Sequence, residues 1–205
     1  MTLEAKNLCF TYPCGRSVLQ NLSLRVEGGE RVGIFAPSGR GKTTLCKLLA
    51  GYEKPQSGQV LLDGKPLASY RGYCPVQLIW QHPEQVVDPR LTLGKTLREA
   101  GEPEERLVQA LGIQPEWLSR YPAELSGGEL QRFCIARALG PAARFVLADE
   151  LSAMLDLATQ AQLWSFLVEE TTRRGIPANR NQNRPQGRSP RAAVFWKKSG
   201  GEGNI

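Results

Sequence analysis

The stretch from Arg31 to Gly51 reads RVGIFAPSGRGKTTLCKLLAG, and it has three parts. Arg31 to Phe35 is a short apolar run of strand type. Ala36 to Thr44 brings together a proline, two glycines and three hydroxyl residues around Lys42. Leu45 to Ala50 is apolar in the manner of a helix and is stopped by Gly51. Strand, glycine-rich loop and helix in this order form a phosphate-binding context. Gly39 and Gly41 let the backbone bend tightly, so that its N–H groups converge on an anion, and the following helix adds its positive N-terminal end. Lys42 is placed to reach the β- and γ-phosphates of a nucleotide, and the Thr43 hydroxyl to sit on Mg²⁺. The predicted nucleotide-binding set is Pro37, Ser38, Gly39, Arg40, Gly41, Lys42, Thr43 and Thr44. Ala36 stands where the pattern G-x-x-x-x-G-K-[ST] has its first glycine, a difference of one methyl group.

On the N-terminal side, Leu3–Phe10 and Leu19–Val26 alternate apolar and polar residues before Gly28-Gly29, which predicts two antiparallel strands and a turn. On the other side, Gln77–Trp80 reads as a strand. Residues 83 to about 143 turn helical and proline-punctuated, with helices predicted at Leu93–Ala100, Glu104–Leu111 and Glu129–Leu139. Phe145–Ala148 is a buried-strand run. Leu157, Ala161, Trp164 and Val168 then mark one face of a helix that ends at Gly175. The expected fold class is α/β: a parallel sheet around the phosphate loop, an antiparallel β part at the N-terminus, and an inserted helical subdomain over about 83–143.

Composition agrees with one globular domain: 205 residues, 41% hydrophobic and 22% charged. No run of about 18 apolar residues is present, and Met1–Lys6 lacks the order of a signal peptide, so the expectation is a cytoplasmic chain. Cys9, Cys14, Cys46, Cys74 and Cys134 form no Cys-x-x-Cys pair, and His82 has no cysteine near it at metal-ligand spacing. Reduced, mostly buried thiols are expected. Arg180, Arg184, Arg188, Arg191, Lys197 and Lys198 face Glu202 alone, so most of the net charge of +6 lies in residues 177–205.

Two further constellations carry chemistry. Phe145–Ala148 ends in Asp149 and Glu150. Asp149 is positioned to hold Mg²⁺, and Glu150 to orient or deprotonate an attacking water. Leu125-Ser126-Gly127-Gly128-Glu129, at the start of a helix, is a second anion-binding device that a nucleotide site on one subunit does not need.

Together these three motifs resemble the ATP-binding cassette (ABC) ATPases over residues 1 to about 176: the Walker A loop, the LSGG signature and the Walker B strand, in that order. The resemblance implies ATP and Mg²⁺ as cofactors and a dimer of cassettes, because the family's signature closes over the ATP of a second subunit. It also implies that Tyr12 stacks on adenine, that Gln81 is the Q-loop glutamine touching Mg²⁺ and water and facing a membrane subunit, and that Asp156 belongs to the D-loop. Leu151 and Ala153 replace the family's usual proline and serine. Gln81-His82-Pro83 and Asp88-Pro89-Arg90 are similar to the importer subgroup for peptides, nickel and metal chelates. The implied catalytic residues are Glu150 and Gln81, and the Mg²⁺ ligands Thr43, Gln81 and Asp149. The implied partners are a second ATPase subunit, membrane permease subunits and, indirectly, a substrate-binding protein, on the inner face of the cell membrane; nucleic acid is not expected.

The resemblance stops at Ile176. The family continues with an apolar strand and a switch histidine, whereas residues 177–190 here carry prolines, arginines and no histidine. The expectation is therefore that the final strands and the switch histidine are missing, that residues 177–205 are a basic, disordered, non-family tail, and that a frameshift or truncated reading frame produced it. Ala192–Trp196 looks too short to replace the missing strand. Three functional readings stay open: the ATPase subunit of an importer, a degenerate cassette that binds nucleotide with little turnover, and a non-transport ABC ATPase.

Overall fold

The chain forms two four-stranded sheets with helices against them, as described by a computed structural model covering residues 1–149 except Arg16, Arg31, Phe35, Pro37 and Ser38, together with 165–167, 169–170 and 194–196. The first half contains β1 (Thr2–Thr11), β2 (Ser17–Glu27), β3 (Val32–Gly33), α1 (Lys42–Leu49), β4 (Ser57–Leu62) and β5 (Lys65–Pro66). The rest contains β6 (Val76–Ile79), α2 (Leu93–Arg98), α3 (Glu105–Ala110), α4 (Gly127–Ala138), β7 (Phe145–Ala148) and β8 (Val194–Trp196).

The antiparallel sheet has the order β2-β1-β4-β5. Leu3, Ala5, Leu8 and Phe10 of β1 face the core, a period of two that slips by one residue between Ala5 and Leu8. Asn7 takes up the slip in the left-handed region (φ 51°), and its side chain accepts from the Ser23 hydroxyl at 3.1 Å. On the other edge Gly58 is the residue the bulge requires, because a Cβ there would run into the Lys6 and Asn7 carbonyls. β4 and β5 turn at Asp63-Gly64, both at positive φ (51° and 75°), as a two-residue type I′ hairpin demands.

The parallel sheet has the order β3-β8-β7-β6. Every residue of β7 is buried. Phe145 and Leu147 enter the apolar cluster shared with α1 and the antiparallel sheet, whereas Val146 and Ala148 enter the cluster built from α2, α3 and α4. One strand thereby holds two cores together.

Val194–Trp196 corrects the expectation of an empty central slot. β8 lies between β3 and β7, parallel to both, with Phe195 opposite Val32 on one side and Leu147 on the other. Three residues suffice to pair strand groups that a parallel sheet cannot leave orphaned. The remainder of the predicted tail, residues 177–193 and 197–205, lies outside the described residues.

Between Pro83 and Ala143 the described residues are helices, 3-10 turns and loops. The turns Pro83–Gln85, Pro115–Ser119 and Pro122–Glu124 each start on a proline, whose missing N–H costs nothing there. Of the predicted helix past Leu157, the structure describes helical residues at 165–167 and 169–170. Leu167 is fully buried among the helices, and Glu170 pairs with Arg106 of α3. The cysteines divide differently from expectation: Cys46 and Cys134 are buried, Cys9 and Cys74 half-buried, and Cys14 exposed. Burial pushes the Cys134 thiol up to about 11.

Candidate functional site

In a parallel sheet all strands end on the same edge, and ligands gather there. On that edge β3 runs into the glycine-rich loop, β6 into Gln81 and β7 into Asp149. The edge thus brings three of the predicted elements together.

The loop joins α1 through Gly41, at φ 84° and with no side-chain cap. An added Cβ on Gly41 would lie 2.5 Å from Val18 Cγ1, so both conformation and space call for glycine. The first intrahelical bond runs from the Leu45 N–H to the Gly41 carbonyl at 2.8 Å, and the amides ahead of it stay on the loop side. Lys42 is buried, and its ammonium donates to the Ala36 carbonyl. That bond uses the backbone of Ala36, a group that glycine and alanine share. The Tyr12 hydroxyl lies 3.0 Å from Thr44 Oγ1, and its ring meets Phe10 edge-on with centroids 4.9 Å apart. Tyr12 therefore sits beside the first turn of α1. Pro37 and Ser38 lie outside the described residues.

Asp149 is buried, and its N–H donates to the Ile79 carbonyl at 3.1 Å, extending the β6–β7 ladder by one step. The next carbonyl, Trp80, accepts from Gln131 Nε2 of α4 at 3.2 Å. The Trp80 ring packs edge-on against Tyr52 with centroids 5.1 Å apart, and the Lys47 ammonium lies 5.2 Å from its centre. Beyond Gln81, His82 Nδ1 is 3.2 Å from Glu84, and Arg90 holds Asp88 in a two-pronged pair of 2.8 and 3.0 Å. The Arg90 hydrogen bonds keep the Asp88 carboxyl down at about 2. Glu150 and Asp156 lie outside the described residues.

The second anion-binding device is a closed capping box. Ser126 caps α4: its Oγ accepts from the Glu129 N–H at 3.4 Å, and Glu129 Oε2 accepts from both the N–H and the hydroxyl of Ser126 at 2.8 Å. Those bonds hold the Glu129 carboxyl below its ordinary range. Gly127 and Gly128 form the first turn, and Leu125 precedes it, half-buried.

Three features escaped the sequence reading. A cavity of about 360 Å³ adjoins the segment after Gln81, lined by Tyr52, Tyr73, Gln77, Val86, Glu99 and Arg137 among others. Gln131 and Arg137 bond to backbone on both sides of Gln81. Gln131 left one local signal, a polar residue between Leu130 and Phe133 on an otherwise apolar helix face; Arg137 left none.

The donor set fits a Mg-nucleotide. Thr43 and Asp149 offer the hard oxygens that Mg²⁺ prefers, and the buried Lys42 with the amides of the loop offers the donors that phosphates need.

Comparison with known proteins gives the family. A family model described as ABC transporter matches residues 19–153. The nickel import ATP-binding protein NikE of Rhodospirillum rubrum is 35% identical over 181 residues, 78% of this chain and 65% of that protein. The probable peptide ABC transporter ATP-binding protein y4tS of Sinorhizobium fredii is 35% identical over 182 residues, 80% of this chain and 51% of that protein. The chain thus spans between half and two-thirds of the length of these relatives. Among solved structures, the dimeric ATP-binding cassette MJ0796 bound to ADP and Pi superposes with a TM-score of 0.72 at 23% identity, covering 94% of this chain and 86% of that one. Among the described residues no helix is long and apolar enough to cross a membrane.

Proposed function

This chain belongs to the ABC transporter ATPase family, and on that premise we propose that it is the ATP-binding and ATP-hydrolysing subunit of an importer of the peptide, nickel or metal-chelate class. The observation that carries the reading is the convergence of the Lys42 loop, Gln81 and Asp149 on one edge of the parallel sheet. The name of NikE supports the importer class, and that of y4tS a peptide transporter. We place the ATPase domain at residues 1–176, with its helical subdomain at about 83–143.

Lys42 and the amides of Gly39–Thr44 bind and orient the phosphates, with Pro37, Ser38 and Arg40 completing the loop. Tyr12 offers its ring to the adenine. Thr43, Asp149 and Gln81 would hold Mg²⁺, which when bound would supply positive charge against the phosphates. Glu150 takes the proton of the attacking water. Leu125–Glu129 and Asp156 serve the site of a second subunit, with Ser126 facing that subunit's γ-phosphate. The cavity lined by Tyr52, Tyr73, Val86 and Arg137, at the far end of the Gln81 loop, is the surface offered to a permease, which holds the chain at the inner face of the cell membrane.

The test is Glu150→Gln in the full chain. Mg-ATP binding is expected to persist while phosphate release stops. Continued hydrolysis would remove Glu150 from its role. Binding without turnover in the unsubstituted chain would leave a nucleotide-binding cassette only. Co-purification with ribosomes or DNA instead of a permease would overturn the transport reading.

A further inference from the structure

The loop that carries Gln81 leaves β6 at Trp80 and reaches Val86 through a single 3-10 turn, Pro83–Gln85. Both of its ends are fastened to the same helix. Gln131 Nε2 donates to the Trp80 carbonyl at 3.2 Å, and Arg137 Nη2 donates to the Val86 carbonyl at 3.0 Å. Gln131 is 4% exposed, so its amide is desolvated and depends on that carbonyl for its hydrogen bond. Arg137 is held in turn: its Nη1 reaches Glu99, which caps the C-terminus of α2, at 2.9 Å, and its own carbonyl accepts from the Tyr73 hydroxyl at 2.7 Å. At the first of these ends, successive β6 carbonyls are divided between two partners, Ile79 taking the Asp149 N–H and Trp80 the Gln131 amide.

We propose that Gln131 and Arg137 are positioning residues that clamp the two ends of the Gln81 loop to the helix that starts at Ser126, so that this helix and Gln81 shift together. The role given to Gln81 rests on the function proposed above; the clamp is a property of the fold. A displacement of α4 pulls on both loop ends at once, because each of the two carbonyls is bonded to a side chain of that one helix. Gln131 and Arg137 thereby set the place of Gln81 without touching nucleotide themselves.

Hydrogen exchange and kinetics on the full chain test this. Gln131→Leu and Arg137→Ala are each expected to speed amide exchange in residues 81–86 by about fivefold, the factor contributed by one hydrogen bond, with no change in β1 and β2. Turnover is expected to fall by a similar factor with Mg-ATP affinity unchanged. Gln131→Glu donates to Trp80 only when protonated, so its turnover relative to the unsubstituted chain is expected to rise as the pH falls from about 8 to about 6. Arg137→Lys, with one donor group in place of the fork, is expected to fall between Arg137→Ala and the unsubstituted chain. Unchanged exchange in residues 81–86 in both Gln131→Leu and Arg137→Ala would overturn the clamp. Faster exchange in β1 and β2 as well would mark a merely structural role and overturn it equally. Exchange reads the clamp even if the unsubstituted chain releases no phosphate, an outcome that counts against the proposed function instead.

Discussion

α1 starts at Gly41, in the left-handed region and with no side-chain cap, whereas α4 starts at Ser126, locked by its own hydroxyl and by Glu129. Both sites read as anion-binding turns in sequence. The first presents its amides to the loop that Lys42 closes through Ala36. The second spends its donors on an internal carboxylate, so an incoming phosphate must compete with Glu129 for the Ser126 hydroxyl and N–H. Under the proposed function the contrast divides the labour: the first helix end holds nucleotide within the subunit and the second engages only when another subunit brings a phosphate to it.

Lys42→Ala strikes the first end hardest. Phosphate release is expected to fall by about a hundredfold or more, with Mg-ATP binding weakened in a direct titration. Gly41→Ala comes next: a residue with a Cβ at φ 84°, against Val18, is expected to cost about 1–3 kcal/mol of unfolding free energy, read from denaturant midpoints. Ser126→Ala is expected to cost about 1 kcal/mol and to abolish turnover while Mg-ATP affinity stays unchanged. Equal losses of affinity in Lys42→Ala and Ser126→Ala would erase the distinction between the two ends.

The smallest effect is a pH dependence. The Ser126 bonds lower the Glu129 carboxyl in the folded chain, so the stabilisation they give is fully present above its ordinary value of 4.5 and is lost as pH falls through the lowered one. Glu129→Gln removes that dependence. The gap in denaturant midpoint between Glu129→Gln and the unsubstituted chain is expected to close on acidification.

Where side-chain period or glycine chemistry governs the backbone, the sequence was sufficient. β1 and β2 were legible from alternation and β7 from its apolar run. α4 was legible from its cap followed by apolar residues, and the Lys42 loop from the conformations that Gly39 and Gly41 permit. The β4–β5 hairpin carried a readable signal in Leu62-Asp63-Gly64-Lys65 that went unused. β8 carried only the short apolar run in Ala192–Trp196, set aside for its length, since a three-residue strand is specified by the neighbours it pairs with. Of the candidate site, the places of Lys42, Gln81 and Asp149 beyond strands of the parallel sheet were legible from the apolar runs before them, and Gln81 was singled out by the family resemblance. The fastening of Gln81 was not, because Gln131 and Arg137 bond to backbone carbonyls some fifty residues away, where side-chain identity leaves no trace.

The most direct measurement is Mg-ATP binding and phosphate release by the full 205-residue chain, side by side with Lys42→Ala and Ser126→Ala. The account predicts binding and turnover in the unsubstituted chain, weakened binding and a collapse of turnover in Lys42→Ala, and loss of turnover alone in Ser126→Ala. Mg-ATP binding that survives Lys42→Ala undiminished would contradict it.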